Sequence, residues 1–218
     1  MQPYFLPYIG YWQLINSVDK FIILDDVQYI SKGWINRNKI WINGDDKWIT
    51  VPLEGASRNK LINEIKILPH SEWFPKLSRI IKYNYKNYKN YKEFYPTLED
   101  ILLYNDLNLI NYLVYSINRI LNYLGINTSI LLSSEIDREK NLNGQDRIIY
   151  LCQQENANLY LNLPGGTGIY CNDTFKNANL GLEFINVDSS KLELNQKFQN
   201  LSVLHLIMTF GKSLGHYL

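Results

Sequence analysis

The chain has 218 residues, enough for one large domain with a sizeable core, and its 46% hydrophobic and 20% charged content excludes a disordered chain. The formal net charge of +1 gives no global electrostatic pull toward nucleic acid or an anionic membrane. No apolar run reaches the roughly 18 residues of a membrane-crossing helix, and the first residues lack the basic region of a secretory signal. The expected compartment is therefore the cytoplasm, where Cys152 and Cys171, which lack metal-ligand spacing, read as reduced thiols.

The first predicted element is the end of a strand at Tyr4 to Leu6, stopped by Pro7, which fixes φ and disfavours helix at the residue before it. A helix follows from Gly10 to Ser17. Lys20 to Leu24 is a short β-branched apolar run that ends at Asp25-Asp26, the profile of a buried parallel strand. The alternating stretch from 39 to 53 surrounds Asn43-Gly44 and reads as a β-hairpin. A long helix is expected from Ser71 to Tyr95, closed by Pro96. Another, from Leu107 to Leu124, carries Ile110, Leu113, Val114, Ile117 and Leu121 at helical spacing and ends at Gly125. Strand Ser129–Leu132, helix Gln145–Glu155, strand Leu159–Asn162, a short helix near Asp173, strand Leu182–Val187 and helix Leu201–Phe210 complete the chain. This alternation predicts an α/β fold with a mainly parallel central sheet in a nucleotidylyl-transferase-like (Rossmann-like) arrangement. The chain reads as a single domain, residues 1–218, with a hairpin-and-helix insert at about 39–106.

In such a sheet, ligands bind outside the carboxyl ends of the strands. The loop Gln2 to Tyr11 and the turn Asp25, Asp26, Gln28, Tyr29 are both expected there. Tyr8-Ile9-Gly10-Tyr11 has the spacing of the His-x-Gly-His signature of nucleotidylyl transferases, with a phenol at each imidazole position. Tyr8 and Tyr11 either donate hydrogen bonds to phosphate or pack the helix start, and Tyr4 lies beside them. Asp25 and Asp26 read as a metal contact, a group that orients a ribose, a general base or a solvated turn. Successive strand side chains point to opposite faces, so at most one of the two is expected to reach the crevice.

The segment Gly33 to Lys39 gathers an indole, two amides, a guanidinium and an ammonium. Arg37 suits a phosphate or carboxylate, Asn36 and Asn38 suit sugar hydroxyls, Trp34 suits a ring face, and Lys39 adds charge. A polar lead-in to the hairpin is the structural alternative. Gly165 and Gly166 follow a strand and read as a phosphate cradle or a plain turn, with Tyr170 close behind. Tyr83, Tyr85, Tyr88, Tyr91 and Tyr95 interleave with Lys82, Lys86, Lys89 and Lys92. That pattern is either an amphipathic helix or a stacking surface for a nucleic acid such as tRNA.

Several segments carry a family resemblance: Gln2-Pro-Tyr-Phe-Leu-Pro-Tyr-Ile-Gly-Tyr-Trp-Gln-Leu-Ile15, Asp25-Asp-Val-Gln-Tyr29, Gly33-Trp-Ile-Asn-Arg-Asn-Lys-Ile40, Asn84-Tyr-Lys86, Asp146-Arg147 and Leu201-Ser-Val-Leu204. Together they resemble the WbqC-like family of bacterial O-antigen and surface-glycan gene clusters. The resemblance implies an enzyme acting on a nucleotide-linked amino sugar, forming an amide with a small amino acid such as glycine and drawing on ATP with Mg. It leaves two alternatives open: an aminoacyl transferase fed by charged tRNA, and a non-catalytic sugar-nucleotide-binding or scaffold protein. No resident metal is implied.

Overall fold

The structure, a computed structural model, describes residues 1–136, 142–187, 198 and 200–218. Among these residues the fold is mixed α/β with four two-stranded sheets, two of them parallel pairs. Helix α1 (Ile9–Asn16) leads into β1 (Lys20–Ile23), which pairs in parallel with β6 (Ser129–Leu132). Between them in sequence lie the hairpin β2 (Arg37–Ile42) and β3 (Asp45–Thr50), the short pair β4 (Leu53–Glu54) and β5 (Lys66–Ile67), and helices α2 (His70–Tyr85), α3 (Tyr91–Leu103) and α4 (Leu109–Leu124). After β6 come α5 (Gly144–Gln154), β7 (Leu159–Asn162), α6 (Asn172–Asn177) and β8 (Gly181–Phe184), with β7 and β8 parallel. Helix α7 (Val203–Phe210) passes into short 3-10 turns up to Tyr217.

Local chemistry accounts for most boundaries. Asn43 and Gly44 sit at φ 51° and 86°, the left-handed pair that a two-residue hairpin turn needs, and Ile42 faces Asp45 across it. The Asn108 side chain accepts from the amides of Ile110 and Asn111 to start α4, and Gly125 ends it at φ 72°. The fully buried rings of Phe5, Tyr11, Trp12, Tyr85, Phe94 and Tyr112 anchor the main core, which spans α1, β1, β2, α2, α3, α4 and α7. A second, smaller cluster (Ile148, Ile149, Cys152, Phe175 and Leu180) lies under α5, α6 and the β7–β8 pair.

Two elements differ from the sequence expectation. Tyr4 to Leu6 is not a strand: Leu6 takes the left-handed conformation at φ 44°, and the buried Asn38 amide donates to the carbonyls of both Phe5 (3.1 Å) and Leu6 (2.8 Å). The helix expected from Ser71 to Tyr95 is two helices. The break lies at 86–90, where Asn90 donates to Met208 O (3.2 Å) and Thr209 O (2.9 Å) at the end of α7. Pro96 lies inside α3, where it removes one helical hydrogen bond without ending the helix.

A cleft of about 500 Å³ separates the β1–β6 pair from the β7–β8 pair. Leu14 of α1 and Ile148, Leu151 and Cys152 of α5 also line it. Met1 lies at its end against β1: the Met1 amine donates to Ile22 O (2.8 Å), and Leu24 N donates to Met1 O (2.7 Å).

Candidate functional site

The loop from Gln2 to Tyr8 is the hub of the candidate site. Met1 is bonded to β1, Phe5 N donates to Trp34 O (3.2 Å), and Val203 N donates to Pro7 O (3.0 Å) at the start of α7. At the head of α1, a Cβ on Gly10 would meet the Tyr8 ring at 2.8 Å and Val187 at 3.2 Å. Only glycine leaves room there for the loop to close against the chain beyond β8.

Tyr8 is half-buried at the head of α1, and burial together with nearby Tyr4 raises its phenol pKa. It therefore stays a neutral hydrogen-bond donor at pH 7. Tyr11 is fully buried, its ring is 5.5 Å from Tyr4 and 5.2 Å from Phe21, and its hydroxyl donates to Gln2 O (3.1 Å). Of the two phenols in the Tyr-x-x-Tyr spacing, Tyr8 keeps a face toward solvent and Tyr11 fixes the loop from beneath.

The two acidic residues after β1 both reach Ser133 but differ in burial and in their other partners. Asp25 is 1% exposed and works as a latch: its carboxylate accepts from Ser134 N (2.9 Å) and Asn63 Nδ2 (3.0 Å), and lies 3.2 Å from Ser133 Oγ, whose one proton goes to the nearer Asp26. It ties the ends of β1 and β6 to the turn at Ile62–Glu64. Asp26 turns outward. Arg147 of α5 donates to both of its oxygens at 2.6 Å, and Ser133 Oγ donates to it at 2.5 Å. Burial pushes the Asp26 carboxyl up, but the hydrogen bonds and charge of Arg147, with Ser133, outweigh that and leave it below the usual carboxylate range. Asp26 is thus a fixed negative charge and a weak base. The Nε and Nη1 hydrogens of Arg147 have no partner among the described residues.

Three side chains meet the glycine turn after β7. A Cβ on Gly166 would lie 2.7 Å from Asn162 Nδ2 and 3.2 Å from the rings of Phe184 and Tyr170. Gly165 has open space around it, and the Tyr160 hydroxyl donates to that of Tyr170 at 3.3 Å.

The segment from Trp34 to Lys39 separates into scaffold and surface. Asn36 is buried, accepting from Tyr29 Oη (3.0 Å) and donating to Val51 O (2.8 Å). Asn38 is the buried clamp on Phe5 and Leu6. Both amides thus donate to backbone carbonyls inside the fold, and Asn36 also bonds the buried Tyr29. Their amide donors, expected to meet sugar or base groups, go to backbone carbonyls in this structure. Gln28 is exposed. Trp34 and Trp48 lie 5.0 Å apart at the surface, and the Arg37 guanidinium sits 4.1 Å over Trp48 while donating to Gly33 O (3.0 Å) and Lys32 O. Lys39 pairs with Asp46. The exposed face here is thus an indole pair with a cation on it.

Ser133 and Arg147 are not among the site residues expected from the sequence, although Asp146-Arg147 carries part of the family resemblance. Ser133 follows β6 as Asp25 and Asp26 follow β1, an equivalence visible only once the two strands are paired. The tyrosine row of α2 and α3 is mostly packing: Tyr85 is fully buried against His205 and Tyr91 is 9% exposed, whereas Tyr83 faces solvent. Few of its rings are therefore placed to stack on a nucleic acid. Among the described residues, no three His, Cys, Asp or Glu side chains gather to hold a metal ion. No helix there is long and apolar enough to cross a membrane.

The profile of the WbqC-like protein family matches residues 2–217. An uncharacterized protein of Mycobacterium tuberculosis, Rv1507c, is 30% identical over 225 aligned residues, which cover all of this chain and 95% of that one. No solved structure matches. The match takes in the N-terminal loop, the Asp25-Asp26 turn and Arg147 alike, and the chain belongs to the WbqC-like protein family.

Proposed function

We propose that the chain is an enzyme of bacterial surface-polysaccharide assembly that acts on a nucleotide-linked amino sugar and joins a small amino acid such as glycine to the sugar amine. The observation that carries this reading is the Asp26–Arg147 pair, held by the Asp25 latch at the carboxyl ends of β1 and β6. It follows β1, where Met1, at the start of the Gln2–Tyr8 loop, is bonded to Ile22 and Leu24. A guanidinium steadied by a carboxylate, with donors left over, suits phosphate and carboxylate groups. The family resemblance supplies the glycan context.

Amide formation from a carboxylate needs activation, and ATP with Mg supplies it as a co-substrate. The amino-acid carboxylate displaces pyrophosphate from the α-phosphorus, and the neutral sugar amine then displaces AMP, losing a proton as the C–N bond forms. The residues present fit such a co-substrate. Arg147 has donors to spare for a phosphate, and Asp26 offers the single carboxylate that suits a magnesium ion held mainly by phosphates and water. Tyr8 would orient the acyl or phosphate oxygen. Trp34, with Arg37 behind it on Trp48, would take the sugar or base.

The test is purified protein with an amino-sugar nucleotide, glycine, ATP and Mg, read by mass spectrometry. A glycyl-sugar product with release of AMP supports the reading. Product formed only when charged tRNA replaces ATP and glycine assigns the chain to aminoacyl transfer. Tight binding of the sugar nucleotide with no product under either condition makes it a binding or scaffold protein.

A further inference from the structure

The glycine turn after β7 holds a polar group that the proposed reaction leaves unused. Asn162, the last residue of β7, is 6% exposed. Its Oδ1 accepts from Leu163 N (2.8 Å), which fixes the plane of the amide. Its Nδ2 lies over Gly166, 2.7 Å from where a Cβ would be. Neither hydrogen of Nδ2 has a partner among the described residues. A buried amide with unused donors carries a desolvation cost that nothing in the fold offsets, so a partner from outside the chain is its natural complement.

The backbone of the turn adds neutral donors. The amides of Gly166, Thr167 and Ile169 bond back along the turn, to Leu163 O (2.9 Å), Pro164 O (3.2 Å) and Gly166 O (2.9 Å). Those of Gly165 and Gly168 have no partner among the described residues, and a Cβ on either glycine would meet nothing within 4 Å. In tight turns of this kind an N–H points back toward the residue three before it, so that of Gly165 points toward Asn162. The Tyr170 hydroxyl accepts from Tyr160 (3.3 Å), which leaves its own hydrogen to donate. The turn is held at both ends, by Asn162 Oδ1 on Leu163 N and by Gln145 Oε1 of α5 on Cys171 N (3.0 Å). Residues 156–172 include no Asp, Glu, Lys or Arg.

Neutral donors on a preformed turn, with open space over its glycines and no carboxylate in the segment to repel an anion, suit a tetrahedral oxyanion. The turn also lies at the carboxyl end of a parallel strand, where sheets of this type bind ligands. We infer that it is a phosphate-binding site, in which Asn162 Nδ2 and Gly165 N–H hold a phosphate group of a nucleotide. The inference rests on the proposed reaction for the identity of that ligand, the diphosphate of the nucleotide-linked sugar. It supplies a second anion site in addition to the Asp26–Arg147 pair, so the phosphorylated substrates of that reaction need not share one.

The test follows the 15N-labelled protein by NMR as inorganic pyrophosphate is added. The side-chain amide of Asn162 and the backbone amides of Gly165 and Gly168 are expected to shift together and to saturate. Asn162→Asp keeps the acceptor for Leu163 N and puts a negative oxygen where the donors were, so it should weaken the binding read at Gly165 and Gly168 by at least about tenfold. Gly165→Ala, whose methyl has open space in the free chain, should weaken it as well while melting within a few degrees of wild type. The double variant Asp26→Asn, Arg147→Gln should leave the shifts at the turn in place. Pyrophosphate that leaves Gly165 and Gly168 unmoved overturns the proposal; shifts around Arg147 alone would then keep the proposed reaction and remove the turn from it. Equal binding by wild type and Asn162→Asp overturns it too. Saturable shifts at the turn with no glycyl-sugar product in the reaction assay would keep this site and reject the reaction.

Discussion

Replacing Asn38 by Ala should unlock the N-terminal loop. The Asn38 amide is 1% exposed and donates to the carbonyls of Phe5 and Leu6, residues that are themselves fully buried. Removing it strands two buried acceptors, each worth about 1–3 kcal/mol of lost stability. It also releases Leu6 from φ 44°, a conformation that costs a non-glycine residue roughly 1–2 kcal/mol and persists only where its surroundings impose it. The loop relaxes once freed, so the unfavourable contributions do not add in full, and the net loss is about 3 kcal/mol. For a chain of this size that lowers the melting temperature by roughly 6–12 °C. Thermal and urea unfolding followed by circular dichroism measure it. Asn38→Asp, which keeps the shape but loses both donors, should lose at least as much. A loss under about 1 kcal/mol in Asn38→Ala would refute the claim that this clamp holds the loop.

Two further outcomes follow from buried groups. Burial lowers His205 from the usual 6.5 to about 4, so the folded state holds it neutral while the unfolded chain takes up a proton. Stability from this residue is full above pH 6.5 and is lost as pH falls toward 4, by an amount on the order of 3 kcal/mol. His205→Phe should flatten that part of the stability–pH curve, and an unchanged slope would count against it. In Gly10→Ala the new methyl would press on Tyr8 and Val187, costing about 1–3 kcal/mol; melting at the wild-type temperature would show that the loop is not closely packed there.

Local chemistry was readable in the sequence, and long-range pairing was not. Asn43-Gly44 specifies a hairpin because few other residue pairs tolerate two positive φ angles, and Gly125 marks a helix end for the same reason. The alternation of strands and helices in the second half was likewise visible. The break at residues 86–90 was not, because Asn90 makes it by bonding α7, 118 and 119 residues away. Tyr4 to Leu6 looked like a strand because its composition gives no hint of the clamp from Asn38. The positions Asp25, Asp26, Asn36 and Asn38 were all singled out as functional. Only the fold shows that Asp25, Asn36 and Asn38 spend their polar atoms on the scaffold, leaving Asp26 as the outward one. Ser133 and Arg147 reach Asp26 across 107 and 121 residues, a pairing that no local pattern encodes.

In the proposed reaction the Asp26–Arg147 pair grips a phosphate or carboxylate of the substrates. The most direct measurement is calorimetric titration of an amino-sugar nucleotide with ATP and Mg into the wild-type chain and into the double variant Asp26→Asn, Arg147→Gln. The double variant removes both charges without leaving either unpaired. Affinity should fall at least about tenfold, the effect of losing one charge-assisted hydrogen bond, while the unfolding temperature stays within a few degrees of wild type. Equal affinity in the two proteins would contradict the assignment of this pair to the ligand.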